Sequence, residues 1–221
     1  MKAKQLAGER AVQYVKDGMI VGLGTGSTAY WAIQKIAQKV KEGLDIRAIP
    51  TSRETKKLAE ELDIPLVSLA EVKHIDLTID GADEVNRDLN LIKGGGGALV
   101  REKIVAFASK KLIIVVDQSK MVDTLGTFPL PVEIVHFGAN QTLFNLEKLK
   151  CQAKLRREDE EIFNSDNDNY IVDCQFGQIE APEQLNTIIN NMPGVVESGL
   201  FVNMTDMVIV GNNQGEVSIL K

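Results

Sequence analysis

The chain has 221 residues, 44% of them hydrophobic and 25% charged, and a net charge of −6. This suits a globular protein whose core needs no disulfide or structural metal, and the negative charge with no basic stripe argues against nucleic acid as a partner. Two cysteines, Cys151 and Cys174, and two distant histidines give neither a disulfide framework nor a zinc pattern; with no apolar run near ~18 residues and no signal-peptide pattern at the start, a reducing, cytoplasmic setting without membrane contact is expected.

Residues 2–16 place Leu6, Ala7, Ala11, Val12 and Val15 at helical spacing, and Asp17-Gly18 ends that helix. The apolar run 19–23 reads as a buried strand, followed by a helix over about 27–42. Residues 45–49 are strand-like. Residues 52–62 read as a helix with Ser52 as N-cap and Thr55 where a capping box prefers Glu or Gln. Residues 75–79 alternate apolar and polar and read as a strand ending at Asp80. A helix over 98–109 and a doubly buried strand over 112–116, ending at Asp117, complete the first half.

This order predicts an α/β fold, a Rossmann-like and mainly parallel sheet flanked by helices. Ligands in such folds sit beyond the carboxyl ends of the strands. Gly24–Thr28, Thr51, Asp80–Asp83 and Asp117–Lys120 all fall just past predicted strand ends.

The character changes at Phe128-Pro129-Leu130-Pro131, where two prolines favour an extended junction. Strands over 132–137, 170–176 and 195–201, with helices over 141–149 and 182–191, predict a smaller ferredoxin-like α+β domain. The polar stretch 156–169 reads as an exposed loop. Strands over 207–210 and 217–220 return to the first domain. The expected division is 1–130 with 204–221 as the larger domain and 131–203 as the smaller.

Three constellations carry chemistry. Gly22-x-Gly24-x-Gly26-Ser27-Thr28 joins a strand to a helix, so its glycines allow close ligand approach and the helix offers N–H groups to an anion. A dinucleotide fingerprint would need Gly where Ser27 stands and an acid roughly 20 residues on, and no P-loop lysine follows. A phosphate site is therefore favoured over a dinucleotide site, with a purely structural turn as the alternative. Thr25, Ser27 and Thr28 add hydroxyls.

Asp80 and Asp83 flank Gly81-Ala82 and can face one pocket, or can serve as Asx-turn formers. Glu84 reads as pointing to solvent or to a subunit contact. Lys93 precedes Gly94-Gly95-Gly96-Gly97, a run that makes room for a ligand or exposes N–H groups. Glu102 falls about one and a half turns into the next helix; a random helical Glu is a solvated one, and position distinguishes this residue. A carboxylate base, a lysine to offset negative charge and a glycine loop suit proton transfer on a small anion.

GTGST, TSxxT from Thr51 to Thr55, DGADE, KGGGGAL, REKI and DxSK from Asp117 to Lys120, in this order, resemble ribose-5-phosphate isomerase type A. The resemblance continues through Phe128–Glu133 to Pro193–Val196 and Gly199–Phe201. It implies reversible conversion of D-ribose 5-phosphate to D-ribulose 5-phosphate through a cis-enediol, with no metal or organic cofactor.

On the matching positions, Glu102 is implied as the base moving a proton between C2 and C1, and Asp80 as the aid to ring opening. Asp83 would hold sugar hydroxyls and Lys93 would counter the enediolate. Thr25, Gly26, Ser27 and Thr28 would bind substrate and phosphate, helped by Lys120 and Lys4. Gly81, Ala82, Gly94, Gly95 and Gly96 would line the substrate. The resemblance also implies a homodimer or homotetramer, with the small domain contributing.

The chain departs from the family where Lys148-Leu149-Lys150-Cys151 lacks a usual glycine and where 156–161 is unusually charged. Two other classes compete. A sugar-phosphate sensor would not need Glu102 and would normally carry a helix-turn-helix, for which there is no room before Gly22. An acyl-CoA transferase would call for a glutamate nucleophile and a longer chain.

Overall fold

The computed structural model describes residues 2–221; Met1, the first residue of the expected larger domain, lies outside the described residues. The chain opens with α1 (Lys2–Ala11), β1 (Ile20–Leu23), α2 (Ala29–Lys41), β2 (Arg47–Pro50), α3 (Arg53–Glu61) and β3 (Leu77–Asp80). Two short strands, β4 (Glu84–Val85) and β5 (Leu91–Ile92), precede α4 (Leu99–Phe107) and β6 (Leu112–Asp117). Next come β7 (Leu130–Ile134), α5 (Ala139–Glu147), β8 (Gln152–Leu155), β9 (Arg157–Glu158) and β10 (Glu161–Ile162). The chain closes with β11 (Tyr170–Gln175), α6 (Pro182–Asn190), β12 (Val195–Ser198), β13 (Leu200–Phe201), β14 (Met207–Gly211) and β15 (Val217–Leu220).

These elements form two compact units. The first comprises the chain through Ala82, Arg101–Met121 and Met204–Lys221; the second comprises Asp83–Val100 and Val122–Asn203.

The first unit is a six-stranded sheet in the order β15-β14-β6-β3-β1-β2. Its strands pair in parallel except for β15, which runs antiparallel to β14. Alternation sorts the strand residues onto two faces. Val21, Leu23, Leu77, Ile79, Ile113 and Val115 pack with Ala7, Ala32, Ile33 and Ile36 of the helices. Ile49 and Ile75 pack with Val105 on the opposite face. Gly22 lies where a Cβ would meet Thr78 Oγ1 at 1.9 Å, so a close β1–β3 approach requires glycine there. The parallel strands run β2-β1-β3-β6-β14, so strand order reverses between β1 and β3. That reversal is the switch point at which open α/β sheets bind ligands.

The second unit contains a four-stranded antiparallel sheet in the order β12-β7-β11-β8. With α5 and α6 this is the β-α-β-β-α-β arrangement of a ferredoxin-like fold. Leu130, Val132, Ile134, Val172 and Cys174 face the core, together with Leu146 and Ile189. A smaller sheet, β13-β5-β4, belongs to the same unit.

Three sequence expectations change here. The stretch 156–169 is not simply an exposed loop. It forms the β9–β10 hairpin, buries Ser165 and leaves the Arg156 side chain only 14% exposed. Strand β8, just before this charged stretch, is also absent from the sequence reading, because a strand with one polar face reads locally as loop. Glu84 does not point to solvent. It is buried, and its carboxylate accepts the Gly126 N–H at 2.7 Å and the Phe128 N–H at 2.6 Å. A buried carboxylate needs such donors, and the turn before Pro129 supplies them.

Candidate active site

In the first unit, the chain leaves β1 through Gly24–Thr28 and enters α2. The Thr25 N–H donates to Asp80 Oδ1 at 3.0 Å, joining this loop to the end of β3 across the switch point. The Gly81 N–H donates to the same oxygen at 2.7 Å. A Cβ on Gly24 would lie 2.1 Å from Asp80 Oδ1 and 2.4 Å from its Cα, so only glycine permits this approach. Asp80 is 1% exposed. Its carboxylate is thus fixed by backbone amides at the ligand-binding end of the sheet.

The loop is braced from below by hydroxyls. Thr25 Oγ1 lies 2.8 Å from Thr51 Oγ1, 2.9 Å from Ser52 Oγ and 3.1 Å from Thr55 Oγ1. Thr51 donates to the Leu23 carbonyl and Thr55 to the Gly24 carbonyl, both at 3.0 Å. Ser52 caps α3, its Oγ accepting the Thr55 N–H at 3.0 Å, as expected from sequence. The TSxxT motif therefore serves two ends at once: it starts a helix and holds the turn after β1. The Thr25 hydroxyl is engaged in this brace, whereas Gly26 and Ser27 are exposed and Thr28 is buried.

Positive charge gathers beside the loop. Lys4 on α1 donates to Ser27 Oγ at 2.8 Å, and its ammonium lies 4.0 Å from Asp117. Lys120 sits on the short turn Gln118–Lys120, which Asp117 caps by accepting the Ser119 N–H at 3.0 Å. Burial pushes the Asp117 carboxyl up, but the Ser119 hydrogen bonds and the charges of Lys4 and Lys120 outweigh it and hold it below the usual carboxylate range. A cavity of about 740 Å³ opens at this end, lined in part by Lys4, Gly26, Ser27, Tyr30 and Trp31.

Glu102 lies in the first turn of α4 and is 4% exposed. The helix starts at Leu99, so Glu102 stands closer to its N-terminus than the sequence suggested. The positive end of the helix dipole there favours a carboxylate.

In the second unit, Asp83, Lys93 and the four glycines form one connected group. Lys93 is 2% exposed; its N–H donates to the Gly199 carbonyl at 2.9 Å, and its ammonium lies 5.5 Å from the centre of the Phe201 ring. Gly94 and Gly97 have positive φ, 100° and 80°, and the Gly97 N–H closes the turn onto the Gly94 carbonyl at 2.9 Å. Between them, the Gly95 N–H donates to Asp83 Oδ2 at 2.8 Å. Gly95 and Gly96 are exposed.

The chain matches the family model described as ribose 5-phosphate isomerase A (phosphoriboisomerase A) over residues 47–215. The chain belongs to the ribose 5-phosphate isomerase A family. The ribose-5-phosphate isomerase A of Bacillus mycoides is 56% identical over 216 residues, covering 97% of this chain and 98% of the relative. That of Parvibaculum lavamentivorans is 49% identical, covering 96% and 95%. Among solved structures, ribose 5-phosphate isomerase from Plasmodium falciparum superposes with a TM-score of 0.96 at 43% identity, covering 99% of this chain and 97% of that one. A D-ribose-5-phosphate isomerase in complex with phospho-erythronic acid superposes with a TM-score of 0.95 at 39% identity, with the same coverage.

Within the first unit, then, Thr25 and Gly81 meet at Asp80, and Lys4 meets Ser27. Within the second, Asp83 meets Gly95. Ala82 is the last residue of the first unit before the chain passes to Asp83. Sequence reasoning missed Arg156, which bonds the Gly94 and Gly95 carbonyls of the glycine loop, and Asp173, which pairs with Arg156. Their signal was present only as an arginine inside a charged stretch and an aspartate inside a strand. Among the described residues no group of His, Cys, Asp and Glu has the arrangement of a metal site.

Proposed function

We propose that this chain interconverts D-ribose 5-phosphate and D-ribulose 5-phosphate through a cis-enediolate. The observation that carries the reading is the Thr25–Asp80 hydrogen bond at the switch point, which ties an anion-type loop to a buried carboxylate. Family membership supplies the substrate.

In this scheme the 5-phosphate lies against Gly26, Ser27 and Thr28, with Lys4 and Lys120 supplying positive charge. Asp80 moves a proton as the sugar ring opens. Glu102 then takes the C2 proton of the open aldose and returns it to C1, while the O2 proton passes to O1. Lys93 offsets the charge on the enediolate oxygens, where a positioned cation contributes most. Asp83 accepts from sugar hydroxyls. Gly81, Ala82, Gly94, Gly95 and Gly96 present backbone without side-chain bulk. Phospho-erythronic acid, bound by one relative, is a phosphorylated sugar acid, and its carboxylate suits a site built for an enediolate. The scheme uses side chains and backbone alone.

The same reading assigns the chemistry to residues 1–130 with 204–221, and assembly into a homodimer or homotetramer to 131–203. Phe137 and Phe144 in the latter are 94% and 53% exposed, which supports such a contact. A cytoplasmic location follows from a charged sugar-phosphate substrate; no helix among the described residues is long and apolar enough to cross a membrane.

The test is turnover of ribose 5-phosphate with EDTA present, in wild type and in Glu102→Gln. Wild-type activity should survive EDTA, and the variant should lose about 10²- to 10⁴-fold in kcat, the range for loss of a general base. A folded wild type that binds ribose 5-phosphate without converting it would overturn the proposal in favour of a sensor.

A further inference from the structure

Arg156 reaches the glycine loop from 62 residues away in sequence. One terminal nitrogen donates to the carbonyls of Gly94 and Gly95, both at 3.0 Å. The rest of the guanidinium forms a two-point pair with Asp173, Nε to Oδ2 at 2.9 Å and the second terminal nitrogen to Oδ1 at 2.5 Å. The side chains are 14% and 29% exposed. The guanidinium lies 5.7 Å from the centre of the Phe163 ring, and that ring fills the space a Cβ on Gly97 would need, 2.5 Å away.

The peptide unit between Gly94 and Gly95 is therefore engaged at both ends. Its carbonyl accepts from Arg156, and its N–H donates to Asp83 Oδ2 at 2.8 Å. A cation on the carbonyl side of an amide strengthens donation from its N–H, because hydrogen bonds in a chain polarise one another. A Cβ on Gly95 would lie 2.6 Å from Asp83 Oδ1, so a side chain there would crowd the carboxylate that this peptide holds.

We propose that Arg156, locked by Asp173, is a positioning residue of the isomerase that sets the orientation of the Asp83 carboxylate through the Gly94–Gly95 peptide. The inference rests on the isomerase reading above and adds a residue that the motifs did not single out. Lysine cannot replace it, because a point charge cannot satisfy two carbonyls and a two-point carboxylate pair together.

The experiment is a double-mutant cycle in kcat/KM between Arg156→Ala and Asp83→Asn, with Arg156→Lys as a second variant and Arg157→Ala as control. Arg157 is exposed, and its guanidinium donates to the Glu160 carbonyl rather than to the glycine loop. Arg156→Ala should lower kcat/KM about 10- to 100-fold, the scale of an ångström-level misplacement. It should cost less than about 2-fold more in the Asp83→Asn background, since residues acting through one contact are not additive. Arg156→Lys should lose activity while melting close to wild type, millimolar guanidinium should restore part of the Arg156→Ala loss, and Arg157→Ala should match wild type.

Full additivity with Asp83→Asn would overturn the inference, as would wild-type kinetics in Arg156→Lys. If Arg156→Ala does not fold, the cycle is run with Arg156→Lys and decides on the same terms. An inactive wild type would instead overturn the isomerase reading, so the two failures are distinct.

Discussion

The Thr25 amide and the Asp80 carboxylate are joined by a 3.0 Å hydrogen bond across the β1–β3 switch point, and Gly24 leaves no space for a side chain between them. This one contact places a turn after one strand and an acid at the end of another in a shared frame. It also makes the frame intolerant of added volume.

Gly24→Ala is therefore expected to be damaging. Its Cβ would meet Asp80 backbone as well as carboxylate, so no rotamer change relieves the clash. A cost of about 1–3 kcal/mol is expected for such overpacking, with kcat/KM falling at least about 100-fold as Asp80 is displaced. Urea unfolding and steady-state kinetics measure the two effects; activity within a few-fold of wild type would show that Asp80 need not sit where it does.

Glu84→Gln tests the buried carboxylate of the second unit. Two backbone N–H groups, of Gly126 and Phe128, point at its oxygens. An amide places an NH₂ against one of them and leaves a buried donor unsatisfied, costing about 1–3 kcal/mol. A shift in the urea midpoint equivalent to that loss is expected, without change in the denaturant slope. An unchanged midpoint would contradict the anchoring role.

Asp76 makes part of the stability pH-dependent. The Ile20 N–H at 2.9 Å, then the Lys110 ammonium at 2.9 Å and His74, hold its carboxyl below the ordinary value against the opposing effect of burial. A carboxyl lowered on folding contributes stability that is complete above its unfolded pKa, about 4, and lost as pH falls through the folded value. Asp76→Asn should be less stable than wild type near neutral pH by about 1 kcal/mol, the pair with Lys110 being largely solvent-screened. The two proteins should converge once pH falls below the lowered folded value, and urea midpoints measured from neutral to acid pH provide the check.

Strand ends, helix starts and the loops that follow them were legible because they depend on local chemistry. Alternation at 75–79 reads out a strand, and Ser52 announces a helix N-terminus by its own side chain. The motifs around Asp80, Lys93 and Glu102 were legible because they are contiguous. Strand β8 was not, since the polar side chains of Gln152 and Lys154 mask a pattern of which only Ala153 is buried.

By itself the sequence determined the order of elements, the α/β class and the residues available to the site, all consequences of period, turn chemistry and composition along short stretches of chain. Tertiary structure alone decided who pairs with whom. Glu84 looks like any surface acid until the turn 126–128 folds over it. Thr25 has no visible link to Thr51 and Thr55 until β1 and β2 run side by side. Arg156 meets Gly94 and Gly95 only when β8 pairs with β11 and the second unit folds. The physical reason is the same in each case: a buried polar group must find a partner, and chain reversal, not local sequence, decides which partner is within reach.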